Sequence, residues 1–447
     1  MVRASGGWLF RLKGASANAG RAAGAGPAVD AGPTVGIESD VVALQRRTQR
    51  VLVASQILGG LGTATGIALA AVLAKRVSGD EALSGLASTA SVAGTAVLSV
   101  PLASLMNARG RRAGLVLAYL IGVAGAATTV AAAVAGSFPL LLVGLAGFGA
   151  ASSANLQARY AAADLAAPDR RARAISTVVW ATTIGAVLGP NIAAPAGRSV
   201  SGFGIPEEAG PFVWAAGVFL VSAALVQIML RPDPLLTARA AAPAEERRPE
   251  ARSVRAGFSA VAASPRARLA LVTVAVSHTA MVSVMSMTPV DLQHHGAGIQ
   301  LIGLVISGHI TGMYAFSPVM GRLADRFGRL SVIGLGVGLL ACAALLAGTA
   351  DGSRAQSAAG LFTLGLGWSA GLVAGSALLT DSVPQAARAA AQGLSDLTTS
   401  LAAGVGGATA GLVVATASYA WLNLAAACLL LPLAALALFT RRITQQG

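Results

Sequence analysis

Residues 321–329 read Gly321-Arg322-Leu323-Ala324-Asp325-Arg326-Phe327-Gly328-Arg329, with two glycines, one carboxylate and three arginines in nine positions between long apolar runs. Nine residues are too few to fold alone, so the segment reads as a clamp between two buried helices. Gly321 and Gly328 allow close approach and a sharp reversal. Asp325 can face the positive N-terminus of a neighbouring helix. Arg326 and Arg329 can hold the loop in a headgroup layer.

The rest of the chain agrees with a membrane setting. Of its 447 residues 55% are hydrophobic and 11% charged, with a mean hydropathy of +0.70, whereas soluble domains carry about 25% charged residues. Apolar runs close to the ~20 residues that cross a bilayer occupy 51–74, 83–105, 113–134, 138–160, 174–196 and 211–230. After a polar interruption they resume at 268–290, 299–320, 330–350, 355–380, 389–416 and 419–439. The expected fold class is an all-α membrane protein of two six-helix bundles related by a pseudo-two-fold axis along the membrane normal. The expected domains are a disordered cytoplasmic tail (1–45), an N-terminal bundle (46–230), a cytoplasmic linker (231–265) and a C-terminal bundle with a short tail (266–447). Pro232, Pro234, Pro243 and Pro249 interrupt regular structure in the linker, which reads as a solvated tether ending in a short interfacial helix near 254–263.

The net charge of +14 does not call for a nucleic-acid partner, because the basic residues sit in alternate loops. Of the 32 Lys and Arg, all but Lys75, Arg76, Arg198 and Arg354 fall on the side of the termini. The positive-inside rule makes that side cytoplasmic. The expected setting is the plasma membrane, the cytoplasmic membrane of a bacterium, with the lipid bilayer as the chief partner and the chain a monomer. Cys342 and Cys428 fall inside apolar runs and define no disulfide framework. No zinc spacing, phosphate-binding glycine loop or nucleophile–base constellation is present, so neither an enzyme, a metal nor a bound cofactor is expected.

The two halves repeat at a spacing of about 217 residues. Ala103 to Arg112 aligns with Gly321 to Leu330, matching Asn107 with Asp325 and Gly110-Arg111 with Gly328-Arg329. Asp164 and Arg171 match Asp381 and Arg388, both pairs as Asp-x6-Arg. Each carboxylate lies within reach of a loop arginine of its own half: Asp164 of Arg109, Arg111 or Arg171, and Asp381 and Asp325 of Arg326, Arg329 or Arg388. Such pairs can latch one arrangement of two domains and release in another.

The nine-residue stretch resembles the loop signature of the major facilitator superfamily, Gly-x-Leu-x-Asp-Arg-x-Gly-Arg, at every fixed position. The resemblance implies twelve helices and transport of a small molecule by alternating access, driven by an ion gradient. Gly185-Ala186-Val187-Leu188-Gly189-Pro190 in the fifth run is similar to the superfamily's exporter and antiporter signature, Gly-x3-Gly-Pro, although Ala193 and Ala194 replace glycines that usually follow. Many proton-linked exporters of the family carry an arginine in the fourth helix where this chain has Val143. Arg159, about four turns later at the cytoplasmic end of the run, is no simple replacement.

Ionisable groups deep in a bilayer are costly and need a reason. Those inside the runs are His278, His309 and Asp396, the candidates for proton coupling, with His278 and Asp396 ranked first because their helices line the central cavity in the family. Gln56, Asn155, Gln157, Trp180, Gln227 and Gln392 are candidates for a substrate path. An Ala-, Gly- and Val-rich interior favours an amphiphilic or weakly charged solute over a phosphorylated one. His294 and His295 lie near Asp291 without a spacing that fixes metal geometry. The resulting expectation is proton-coupled efflux of a small organic or drug-like solute. The rivals are a nutrient-uptake symporter and a non-transporting receptor or scaffold on the same bundle.

Overall fold

A computed structural model describes residues 32–80, 83, 85–241 and 254–446. Among them twelve helices are long and apolar enough to cross a membrane. The N-terminal six are α1 (Gly32–Ser78), α2 (Gly85–Arg109), α3 (Arg111–Ala135), α4 (Phe138–Ala161), α5 (Arg171–Val200) and α6 (Gly210–Met229). The next is α7 (Pro265–His294), followed by α8, which has two α-helical parts, Ile299–Ile310 and Ser317–Phe327, around a π-helical turn at Thr311–Ala315. The last four are α9 (Arg329–Gly348), α10 (Arg354–Ser382), α11 (Arg388–Thr416) and α12 (Tyr419–Gln446). A helix satisfies its own backbone hydrogen bonds, which is what a chain this apolar needs in lipid.

Two segments depart from expectation. Residues 1–31 of the expected tail lie outside the described residues, but 32–45 are helical and continue into α1. Gln45 anchors that extension, its Nε2 donating to the Ala162 carbonyl at 2.7 Å. The linker is no free tether. Asp233 caps a helix at Pro234–Ala241 by accepting from the backbone nitrogens of Leu235 and Leu236, and it also accepts from Arg112 N at 2.8 Å, at the start of α3. A second helix covers Val254–Ala263 and lays Gly257 against the Ala390 carbonyl of α11. Residues 242–253 are outside the described part.

The repeat is visible in the backbone. Gly110, between α2 and α3, has φ 91° and ψ 167°, and Gly328, between α8 and α9, has φ 89° and ψ 152°. Only glycine occupies that region without strain. Each half carries its own apolar core: Leu52, Tyr119, Phe148 and Phe219 in the first, Leu269, Leu340, Leu361 and Trp368 in the second. The second core reaches across to Ala172, Ile175 and Val179 of α5.

The halves meet along α2–α11 and α5–α8 at the face that bears the termini. A Cβ on Gly321 would clash with Ser176 Oγ, and one on Gly393 would come 2.5 Å from Ala103 Cβ. These contacts are repeat mates, since Gly321 aligns with Ala103 and Gly393 with Ser176. Each contact needs one glycine, so Ala103 is tolerated in the N-terminal loop because α11 supplies the space.

Candidate functional site

A buried polar layer closes the terminus-bearing end of the interface between the halves. Its hub is Arg111, fully buried at the start of α3. Its Nε and Nη2 donate to the two oxygens of Asp164 at 2.8 and 3.1 Å, its Nη1 to Gln157 Oε1 at 2.9 Å, and its Nη2 also to Gln392 Oε1 on α11 at 2.5 Å. Gln157 passes the chain on, donating from Nε2 to Asp396 Oδ2 at 2.6 Å. Asp396 accepts from Arg159 Nη2 at 2.8 Å through its other oxygen. Tyr160 and Ser395 share a hydrogen bond of 3.1 Å beside it. Arg111, Arg159, Asp164 and Asp396 are each at most 6% exposed, and their charges sum to zero. Four of these contacts, Arg111–Gln392, Gln157–Asp396, Arg159–Asp396 and Tyr160–Ser395, bridge the halves.

Nearer the face lies a second tie. Asp381 at the end of α10 pairs with Arg329 at 3.0 Å and with Arg171 of the other half at 2.6 Å. Arg329 also pairs with Asp325 at 3.2 Å and donates to the Pro168 carbonyl. Asp325 accepts from the backbone nitrogens of Ala172 and Arg173 at 3.1 and 2.9 Å, the opening turn of α5. Free N–H groups there are unsatisfied within the helix, and the helix dipole adds to the attraction.

On the inner side of the polar layer is a cavity of about 490 Å³ between the two halves, within the ~300–1,000 Å³ of small-molecule sites. From the N-terminal half it is lined by Gln56 and Thr63 of α1, Asn155 and Arg159 of α4, and Thr182 of α5. From the other half come His278 of α7, Tyr314 of α8, Trp368 of α10 and Thr399 of α11. Arg159 is the one charged side chain among these described residues. Gln56 Nε2 donates to Thr182 Oγ1 at 2.9 Å, and Tyr119 donates to Asn155 Oδ1 at 3.0 Å. Trp368 Nε1 donates to His278 Nδ1 at 2.9 Å. An indole nitrogen can only donate, so His278 is the neutral tautomer with its proton on Nε2. Tyr314 stands on the π-helical turn with its ring edge-on to Trp368, 5.5 Å between centroids. Turns of this kind recur at functional sites.

Several expected site residues lie elsewhere. Gln157 and Gln392 are fully buried in the polar layer. Trp180 and Gln227 are exposed outside the cavity lining, because 178, 179, 182 and 186 are the positions of α5 that face inward and α6 lies behind α1. His309 is buried, with Nδ1 2.7 Å from the Leu361 carbonyl, so it serves a helix–helix contact away from the cavity. Arg326 is exposed and lies over the Phe327 ring, outside the tie. Arg388 opens α11 half-buried, while Asp381 takes Arg171 from across the interface in place of a partner from its own half only. Asn107 accepts from Arg239 of the linker helix, so the two loops of the repeat have different work. On α5, which runs through position 190, Gly185 meets the Gly60–Leu61 backbone and Gly189 meets Ala64 and Thr65 of α1. His295 Nδ1 lies 2.9 Å from the Asp291 carbonyl, and no three potential metal ligands gather among the described residues.

Arg159, whose place in the sequence is the cytoplasmic edge of the membrane, lies on α4 and lines the cavity, as do Thr182, Tyr314 and Trp368, which nothing in the sequence singles out. The signal was available: Ser152, Asn155, Leu156 and Arg159 recur at helical spacing and share one face.

The asymmetry between the loops sets an expectation. Asp325→Ala removes two charge-assisted hydrogen bonds, from Ala172 and Arg173, that exist only while the halves are closed at this end, together with an ion pair to Arg329 within its own half. It should shift the equilibrium between arrangements by about 1–3 kcal/mol and reduce transport, with membrane insertion unchanged. Asn107→Ala should do less, as judged by transport in vesicles at matched protein content. Equal losses would remove the asymmetry.

The geometry is that of a large family. The chain matches the family model of the Major Facilitator Superfamily over residues 51–300 and 269–447. It is 37% identical over 406 residues to the uncharacterized MFS-type transporter YddS of Bacillus subtilis, covering 90% of this chain and 93% of that one. It is 29% identical over 326 residues to the riboflavin transporter RfnT of Brucella anthropi, covering 72% and 78%. The crystal structure of the human organic anion transporter MFSD10 superposes with a TM-score of 0.69 over 88% of this chain and 99% of that one, at 17% identity, a likeness of fold alone. This chain therefore belongs to the major facilitator superfamily and is a secondary transporter.

Proposed function

We propose that the transporter is proton-coupled and that Arg159 and Asp396 form its coupling pair. The observation that carries this is the 2.8 Å contact between a cavity-lining cation and a buried carboxylate of the opposite half. To expose the cavity to the other side, this contact and the Asp381–Arg171 tie must open. Opening it bare leaves two unpaired charges in a low-dielectric interior, at a cost of several kcal/mol. A proton on Asp396 removes one of them. A solute acceptor group on Arg159 satisfies the other. The charged or titratable groups around Asp396 are Arg159 and Tyr160 of α4, Arg111 of α3, Asp164 beyond α4, and His278 and Tyr314 of the cavity wall. None of these is a second carboxylate facing the cavity.

Two occupancies are then electrically balanced: the empty pair, and the pair split by a proton and a solute together. This favours symport, with uptake along an inward proton gradient. Efflux is the second reading, favoured by Gly185 and Gly189, which seat α5 on α1 as the exporter-like signature would. The distribution of basic residues supports a cytoplasmic terminus-bearing face, and the bacterial relatives support a plasma membrane, so this conformer, closed at that face, reads as outward-facing. A reporter at Gln445 should read cytoplasm, and one at Gly204 the outside.

The test uses vesicles reconstituted with the protein and given an imposed proton gradient in a bacterial small-molecule extract, analysed inside and out by mass spectrometry. A solute accumulated inside supports symport, and one depleted from preloaded vesicles supports efflux. Contents identical to those of protein-free vesicles would contradict proton-driven transport.

A further inference from the structure

The cavity wall assigns a substrate class, an inference that rests on the Arg159–Asp396 reading above. We propose that the solute is a planar aromatic anion with one charged oxyanion group, whose oxygens take Arg159 while its ring lies against Trp368 and Tyr314.

Three independent observations point there. The first is charge. Among the described lining residues Arg159 is a cation with no carboxylate beside it in the wall, and Asp396 reaches it from beneath. A cationic solute would meet this guanidinium without a counter-charge to offset the loss of water.

The second is spare hydrogen-bonding capacity. A guanidinium has five N–H donors. Asp396 accepts one from Nη2, the same nitrogen lies a long 3.5 Å from Tyr160 OH, and Nη1 makes no hydrogen bond and is not sealed off, while Nε is buried behind it without a partner. An unsatisfied buried donor is expensive unless something else completes it. Across the cavity Gln56 spends its Nε2 on Thr182, while its Oε1 is buried without a donor. The wall therefore offers a charged donor at Arg159, with the unsatisfied Gln56 Oε1 just beneath the opposite surface. That suits an oxyanion carrying a separate N–H or O–H.

The third is shape. Trp368, Tyr314 and His278 form one aromatic corner, with ring centroids 5.5 Å apart for Tyr314–Trp368 and 6.0 Å for His278–Trp368. The Trp368–His278 hydrogen bond fixes the orientation of that corner. Apart from Gln56, the α1 and α5 side chains that line the cavity are small or branched, among them Gly60, Ala64, Val179 and Ala186. Such a slot accepts a flat ring system, offset-stacked or edge-on.

Docking an oxyanion on Arg159 replaces Asp396 as its counter-charge. The carboxylate released from the pair is then buried next to an anion, and it takes up a proton from the medium. One proton and one anion enter together, no covalent bond is made, and the charge of the buried layer is unchanged.

Three probes of one shape test this on the full-length protein in lipid nanodiscs: 2-naphthalenesulfonate, its neutral sulfonamide, and 2-naphthylmethylammonium. Binding is read by calorimetry, and proton uptake by a pH indicator in weak buffer. The sulfonate should bind about tenfold or more tighter than either counterpart, as a charge-assisted hydrogen bond implies. Arg159→Gln should erase that preference and leave sulfonamide binding within about threefold. Since Arg159→Gln strands Asp396, the double variant Arg159→Gln/Asp396→Asn is measured alongside and should show the same loss. Equal or tighter binding of the ammonium probe, a preference that survives in both variants, or no sulfonate binding in wild type would overturn the proposal. Sulfonate binding through Arg159 without proton uptake would leave the substrate class standing and refute the coupling reading instead.

Discussion

Asp396→Asn should abolish proton-driven accumulation while preserving exchange of solute across the membrane. The substitution keeps the shape of the side chain and one acceptor oxygen, so Arg159 and Gln157 retain a hydrogen-bonding neighbour. What it removes is the charge. With an amide at 396 the empty floor is no longer neutral, and the solute-bound floor no longer needs a proton. Loaded carriers can still reorient in both directions, so exchange continues. Because no proton now travels with the solute, an imposed proton gradient supplies no drive for net accumulation. Counterflow and gradient-driven uptake measured on the same vesicles separate the outcomes. Loss of both would make Asp396 a structural residue, and retention of both would move coupling elsewhere.

Arg111→Ala should be the most destabilising single substitution in the polar layer. Arg111 is fully buried and holds Asp164 with two hydrogen bonds, Gln157 with one and Gln392 of the other half with one. Its removal leaves the Asp164 carboxylate buried without a cation and frees two amides. Breaking one partner of a buried pair costs about 3–5 kcal/mol. The folded fraction that survives a heat challenge in detergent should fall sharply. Arg111→Lys should recover only part, because an ammonium cannot present the fork that Asp164 receives. Arg111→Met with Asp164→Leu should recover more, since it strands no charge. If Arg111→Ala were as heat-resistant as wild type, the layer would have no structural role.

The residues that were legible in the sequence were those whose chemistry is local. Twelve apolar runs gave twelve helices because a lipid-exposed backbone has no alternative. Gly328 reads as a reversal and Asp325 as a partner for a helix N-terminus, and their φ of 89° and contacts with Ala172 and Arg173 agree. What stayed hidden depended on which side of a helix faces inward. Trp180 and Gln227 are polar-tipped residues in apolar runs, and only the neighbours of α5 and α6 show that they face outward. Arg159 and Arg111 read as headgroup-layer cations because they flank loops, yet the opposite half supplies Asp396 and Gln392 to hold them inside. Partners more than 200 positions away leave no mark on a local pattern. The Arg171–Asp381 pair was missed for the same reason, since each residue was matched within its own half.

The central claim is that a proton and a solute meet at Arg159 and Asp396 and cross together. Its most direct measurement is the internal pH of reconstituted vesicles after external addition of 2-naphthalenesulfonate, an anion whose neutral form is too scarce to leak. The account predicts saturable internal acidification, about one proton per sulfonate taken up, absent from both Asp396→Asn and protein-free vesicles. Sulfonate uptake at the wild-type rate with no change of internal pH would contradict it.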